Sequence, residues 1–445
     1  MSQPLSQRLF ASITLALISV GFPSFAEAGD DVSGDAALRE LVQEALQARS
    51  ELAQLTAQAR AAQARVPQAE AWPEPMLQVG VQNDSFKRWQ VGTMETSWVS
   101  FMASQTFPFP GKLGLRGEIA QSEVRTSELA VERVRLSTIA EVRRGYLSLQ
   151  LIRERSVLLE RLIKLSGRVV EVARLRSLSG MGSQSEVLRA QVELSRVTQR
   201  GHLLAADEAL QVQRLNQLRR KPLDTAIETG SPLSSLSMPE LLSEERALEL
   251  GRQRSPELLR AQVGSTRAQS SAALARRSYF PDVSVSAGVM LRGRLEPMWA
   301  LNVGVPLPVF AGIRQARAVE EASAQGEAAL RDTEAVEQQL VLRAHQRAAS
   351  MKALRAVWRS YQDGLLVQAA AAAESTMSQY AAGQAQFAAV LEANALSIAE
   401  TEASLEVLAS AWRLVIAQDE LSPGAADDSR RVGASTPSPS PSPGM

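Results

Sequence analysis

The sequence predicts a mainly α-helical fold with a membrane-type β component, laid out as an internal twofold repeat. Three observations predict it. First, residues 51–81 (ELAQLTAQARAAQARVPQAEAWPEPMLQVGV) align without a gap on residues 257–287 (ELLRAQVGSTRAQSSAALARRSYFPDVSVSA), with Pro75 falling on Pro281. Second, four stretches of roughly ten residues alternate apolar with small or polar side chains, the period of a strand. Third, neither residues 112–177 nor residues 313–380 contain a proline. Each run of about 65 residues would form a helix roughly 100 Å long at 1.5 Å per residue. A repeat of this kind sets the architecture before any single element is assigned.

The echo continues beyond its first stretch. Phe107-Pro108-Phe109-Pro110 matches Val305-Pro306-Leu307-Pro308, and Leu115-Arg116 matches Ile313-Arg314. Gly180 and the later Val187-Leu188-Arg189-Ala190 match Gly383 and Val390-Leu391-Glu392-Ala393. Each half therefore reads helix, strand, strand, long helix, helix. The first repeat is placed at 36–220 and the second at 240–421. A connection at 221–239, rich in turn formers, joins them.

The elements follow in order. Residues 1–28 read as a signal peptide, with Arg8, a short apolar stretch at 9–22 and the small-x-small site Ala26-Glu27-Ala28. Residues 36–71 form one helix, broken by Trp72-Pro73-Glu74-Pro75. Strand 76–82 sets Leu77, Val79 and Val81 against Gln78, Gly80 and Gln82. A polar loop with Trp89 leads to strand 98–107. In the second half Val283, Val285, Ala287, Val289 and Leu291 alternate with Ser284, Ser286, Gly288 and Met290. Trp299, Leu301, Val303 and Val305 then alternate with Ala300, Asn302 and Gly304. Ten tilted residues span a bilayer as a strand. Four strands cannot close a barrel, and an open edge in lipid leaves unpaired amides at several kcal/mol each. Strands in a membrane would have to share a barrel between chains; a soluble four-stranded sheet is the other reading. On this pattern Val285, Val289, Leu301 and Val303 are expected to face lipid. The helices carry coiled-coil seams at three-four spacing, such as Leu158, Leu162, Leu165, Val169 and Val172. Residues 422–445, with Pro-Ser alternation, read as a disordered tail.

Composition bounds the function. The 445-residue chain is 45% hydrophobic but only 4% aromatic, and its net charge is zero, so nothing argues for nucleic acid as a partner. Absence of cysteine excludes disulfides and thiolate chemistry. No catalytic constellation is found, and no cofactor or metal site is expected. The two histidines, His202 and His345, lie on different helices. Gly180-Met181-Gly182 lacks the strand–loop–helix context of a phosphate loop. The methionines Met76, Met94, Met102, Met290 and Met298 read as scattered packing residues.

Taken in this order, these pieces resemble the TolC-type outer-membrane efflux channels, the outer membrane factors. The resemblance covers about residues 36–420. It rests on Pro256-Glu257-Leu258 leading to Phe280-Pro281, on Phe107-Pro108-Phe109-Pro110-Gly111-Lys112-Leu113, and on Tyr380, Gly383 and Val390-Leu391. Residues 98–113 and 295–299 are similar to the heavy-metal efflux branch. The resemblance implies a homotrimer with a 12-stranded barrel in the outer membrane and a 12-helix periplasmic tunnel. It implies a periplasmic adaptor protein and, indirectly, an inner-membrane efflux pump as partners, with this chain the passive conduit. It places helix-tip turns at Gly180, Gly182 and Gly383, and pore-constriction candidates at Glu186, Tyr380 and Glu392. One departure is that the stretch after Gly383 carries no arginine to hold a pore shut, a role Arg174 or Arg176 could take over. A periplasmic coiled-coil adaptor or scaffold remains the alternative.

Overall fold

A computed structural model describes residues 35–424. The expected signal peptide and residues 425–445 of the expected tail lie outside the described residues. The first half runs α1 (Ala36–Ala48), α2 (Ser50–Glu70), β1 (Met76–Gln82), β2 (Trp98–Phe107), α3 (Lys112–Leu178) and α4 (Gln184–Leu218). The second runs α5 (Glu244–Arg254), α6 (Pro256–Arg277), β3 (Val283–Arg292), β4 (Leu295–Gly304), α7 (Gln315–Ser360), α8 (Leu366–Ala381) and α9 (Phe387–Asp419). Both halves thus list their elements in the same order. A π turn, Tyr361–Leu365, joins α7 to α8 and holds Gly364 at φ 148°.

The expected single helix at 36–71 is two helices. Arg49 adopts an extended backbone between them. Its guanidinium donates to Glu141 at 2.8 Å and pairs with Glu51 at 3.2 Å. In the second half Ser255 breaks α5 from α6 in the same conformation. There Pro256 is the cause, because a proline pushes its predecessor out of the helical region.

The four strands form one antiparallel sheet in the order β1-β2-β3-β4. Register fixes the two faces, because directly opposed residues share a side. Val79 opposes Phe101, Phe101 opposes Val289, and Val289 opposes Trp299. Ala287 opposes Leu301, and Val285 opposes Val303. One face is therefore apolar except for Gln105, which opposes Val285, and most of it is exposed in the single chain. The other carries Gln78, Ser100, Ser286, Gly288 and Asn302. Met76, Met102, Met290 and Met298 also fall on this second face, one per strand, each opposite or diagonal to the next. The expectation of scattered methionines is corrected here: distant positions in the chain are neighbours across the sheet. Strand β4 also starts earlier than the alternation suggested. It takes in Pro297, which a register shift between Met290 and Arg292 leaves outside the ladder. A proline without a donor is tolerated at such an irregularity.

The helices pack in the sequence α2 on α3, α3 on α6, α6 on α7, with α4 beside α3 and α9 beside α8. The sheet therefore sits at one end of the long helices and the α3–α4 and α8–α9 turns at the other. The main core lies between these ends. Leu38 and Leu41 of α1, Tyr146, Leu147 and Leu149 of α3, Leu215 of α4 and Leu408, Trp412 and Ile416 of α9 make it up. The connection between the halves is not a loose linker. Ile227 and Leu233 are buried in that core. Arg153 donates to the Ile227 carbonyl at 2.8 Å, and Gln150 to the Ser231 carbonyl at 2.9 Å. Two apolar anchors in a stretch of turn formers were too sparse a signal to read. The ordered chain likewise outruns the expected tail boundary: Ser422 is buried and donates to Glu257 at 2.6 Å.

Candidate functional site at the helical tips

The two tips are built by the same backbone device. Helix α3 ends with Gly180 at φ 73° and α8 with Gly383 at φ 78°. In each, the amide after the glycine reaches back five residues: Met181 to the Arg176 carbonyl at 2.9 Å, Gln384 to the Gln379 carbonyl at 2.8 Å. The glycine amides bond Ser177 and Tyr380 at 3.2 and 3.0 Å. This is the Schellman arrangement, which requires a residue at ease with positive φ. Gly182 lies in the first turn but does not take a positive φ. A Cβ there would sit 3.1 Å from Arg176 Cβ and 3.3 Å from Glu186 Oε2, so its smallness is what matters.

The tips pack against each other through Val169, Ala173, Ala190, Tyr380, Phe387 and Val390. Tyr380 is only 1% exposed, with its ring 5.8 Å from that of Phe387. The structure thus brings this candidate inside the tip rather than onto an open surface. Its hydroxyl has no hydrogen-bond partner. Burial raises its pKa, the Glu186 charge adds to that, and Arg176 opposes it. Arg176 is the bridge between the halves. Its guanidinium lies 4.7 Å over the Tyr380 ring and donates to the Tyr380 carbonyl at 2.6 Å and the Met181 carbonyl at 3.2 Å. Of the two arginines near the first tip, it is Arg176 that reaches the second half.

The two glutamates stand apart. Ser183 caps α4 by accepting from the Glu186 amide, in the Ser-x-x-Glu spacing of a capping box. The Glu186 carboxylate is half-buried, and its Oε2 has no hydrogen-bond partner. Glu392 is exposed on α9. In the echo it matches Arg189, not Glu186, so the two acids are not equivalent positions. Among the described residues no group of His, Asp or Glu is arranged to hold a metal, and no helix is long and apolar enough to cross a membrane.

The energetics of the tip give a paired expectation. Arg176→Ala removes charge-assisted bonds worth roughly 1.5–3 kcal/mol each and frees one hairpin from the other. Tyr380→Phe removes an unpaired buried hydroxyl and should be neutral or mildly stabilising. Single-channel conductance should rise for the first variant and stay at the wild-type value for the second. A rise with Tyr380→Phe would mean that the hydroxyl has a partner that the single chain lacks.

An open-edged sheet with one largely apolar, exposed face is set on one end of a long helical body. The sequence model of the family described as outer membrane efflux protein matches residues 41–220 and 247–414. The chain belongs to that family. No curated protein matches the sequence. Among solved structures, VceC from Vibrio cholerae aligns with a TM-score of 0.74 at 20% identity, covering 89% of this chain and 98% of that one. The outer-membrane channel OprN aligns at 0.72 and 19%, over 89% and 91%. CusC aligns at 0.72 and 17%, over 87% and 92%. These likenesses establish the fold. Nearly equal scores do not select a branch of the family, so the narrower expectation of a heavy-metal branch gains nothing from them. The chain is an outer-membrane efflux channel with a large periplasmic helical part, and not an adaptor. Its family is one of transport proteins.

Proposed function

We propose that three copies close one 12-stranded barrel in the outer membrane and one periplasmic helical tunnel, through which substrate passes from an adaptor and an inner-membrane pump. The observation that carries this is the sheet. Strands β1 and β4 each leave one edge unpaired in the chain, and the face bearing Val79, Val289, Leu301 and Val303 is apolar and exposed. In lipid each open amide would cost several kcal/mol, so the edges must meet another copy. Val285, Val289, Leu301 and Val303 then face lipid, and the opposite face, with Met102, Met290 and Met298, lines the lumen. Residues 36–220 and 240–421 act as two repeats that contribute equivalent strand pairs and helical hairpins. Mass measurement in mild detergent tests the assembly: a trimer is expected, and a monomer overturns it.

The tips form the periplasmic mouth and the surface that meets the adaptor. Glu392, exposed on α9, contributes three carboxylates around the axis, and such rings favour cations. Glu186, half-buried beside Gly182, adds a second set of carboxylates set deeper in the tip than Glu392. In planar bilayers Glu392→Gln should lower cation preference and weaken block by multivalent cations. Unchanged selectivity with weakened adaptor binding would assign Glu392 to docking instead.

A further inference from the structure

The chain contains one complete joint between its halves, at the base of the sheet, and displays the two unmatched sides of a second. In the complete joint α3 packs on α6. Lys112 Nζ pairs with Asp282 at 2.7 Å and donates to the Phe280 carbonyl at 2.7 Å, while the Phe109 and Phe280 rings stack at 4.6 Å. Higher along the same helices, Arg277 donates to the Pro110 carbonyl at 2.5 Å, Arg267 pairs with Glu123 at 3.0 Å, and Arg133 pairs with Glu257 at 2.5 Å. Besides the ring stack, the joint holds three ion pairs, Lys112–Asp282, Arg267–Glu123 and Arg133–Glu257.

The unmatched sides are α7 with the segment before it, and α2 with the turn after it. The echo gives their correspondence residue by residue. Lys112 becomes Phe310, Asp282 becomes Met76, and Phe109 becomes Leu307. Arg267, Ser270 and Arg277 become Ala61, Ala64 and Ala71. Phe310 is 71% exposed and Met76 64% exposed, and the three alanines are exposed as well. Only one ionic rung survives the translation. Arg133 and Glu257 become Arg331 and Glu51, both exposed and each holding only a local partner, Glu334 and Arg49. Large apolar groups exposed on one side and small residues on the other fit a second copy of this chain, set as α6 is set on α3.

We infer that α7 of one copy docks on α2 of the next with Phe310 against Met76, alanines in place of arginines, and one ion pair between Arg331 and Glu51. This inference rests on the trimer reading above. The joint within the chain holds three ion pairs and the joint between chains would hold one, with Phe310 and Met76 where Lys112 and Asp282 stand, so the two sides are not interchangeable. Exposed apolar surface of this kind is stable only when covered.

Transplanting the internal ion pair tests it. Phe310→Lys sets a lysine against Met76 of the next copy, and Met76→Asp sets an aspartate against Phe310. Each single variant should lower trimer yield in detergent at least fivefold. The double variant Phe310→Lys with Met76→Asp recreates the Lys112–Asp282 pair between copies and should recover most of the yield. Because the chain has no cysteine, Phe310→Cys with Met76→Cys should also form a disulfide between copies. Singles that trimerise as wild type, or a trimer in which the cysteine pair never links, would overturn the joint while leaving the trimer intact. A wild-type chain that stays monomeric would instead remove the trimer reading itself.

Discussion

Leu301→Arg should abolish insertion of the channel, whereas Asn302→Arg, one residue along the same strand, should leave it assembled. Leu301 is 60% exposed on the apolar face of β4, and Asn302 points to the opposite face beside Ser286. A cation on the lipid face near the middle of a strand costs about 2–4 kcal/mol. Three copies each carry that cost in one barrel. A cation on the lumen side stays in water and costs little beyond its effect on conductance. Outer-membrane fractionation and trimer yield check both variants. Equal tolerance at the two positions would mean that the sheet does not face lipid as proposed.

The second large effect is expected far from both lipid and lumen, at Glu420. Its side chain is 3% exposed and accepts from Arg133 at 3.0 Å and Arg144 at 2.8 Å. Arg133 also binds Glu257, which accepts from Ser422. Three segments distant in the chain, α3, the start of α6 and the residues after α9, are tied by this network of two carboxylates and two arginines. Removing one member of a buried pair leaves an uncompensated charge at a cost of about 3–5 kcal/mol. The arginines keep some contact with water, so Glu420→Ala should cost on the order of 3 kcal/mol. Arg144→Met combined with Glu420→Met should cost less than Glu420→Ala alone. Urea midpoints of the purified channel measure this. A shift for Glu420→Ala within about 0.5 kcal/mol of wild type, the range of an ordinary surface change, would show that the arginines find other partners.

The residues that could be read in advance are those governed by local rules. The bounds of β1 and β2 follow from period-two alternation, and α3 runs Lys112–Leu178 because nothing in that stretch breaks a helix. The tip glycines announce their turns. What was not legible depends on partners remote in sequence. The break at Arg49 has no proline; an ion pair with Glu141 of α3 marks it. The alternation was read from Trp299 onward, because the bulge that admits Pro297 is a property of the β3–β4 pairing. Arg176 was one of two candidate cations until the second tip came to rest against it. Glu186 reads as an exposed acid in a helix start, and only the packing of Gly182 and Tyr380 turns it inward.

The π turn at Tyr361–Leu365 has a consequence for how far the periplasmic part can reach. Phe107 echoes Val305 while Gly180 echoes Gly383, so the second half carries five more residues between those landmarks. Added to a plain α-helix, five residues would rotate everything beyond them by about 140° past a full turn. Tyr380 and Phe387 would then point away from Ala173 and Ala190. The i→i+5 bond from the Leu366 amide to the Tyr361 carbonyl and the non-helical Gly364 interrupt the plain helical count here, and the tip residues keep their contacts. The added length and the facing of the tip are thereby reconciled at a single place. Evolution can lengthen or shorten the span there only in whole-turn quanta, because losing one or two residues would swing the tip by about 100–200°.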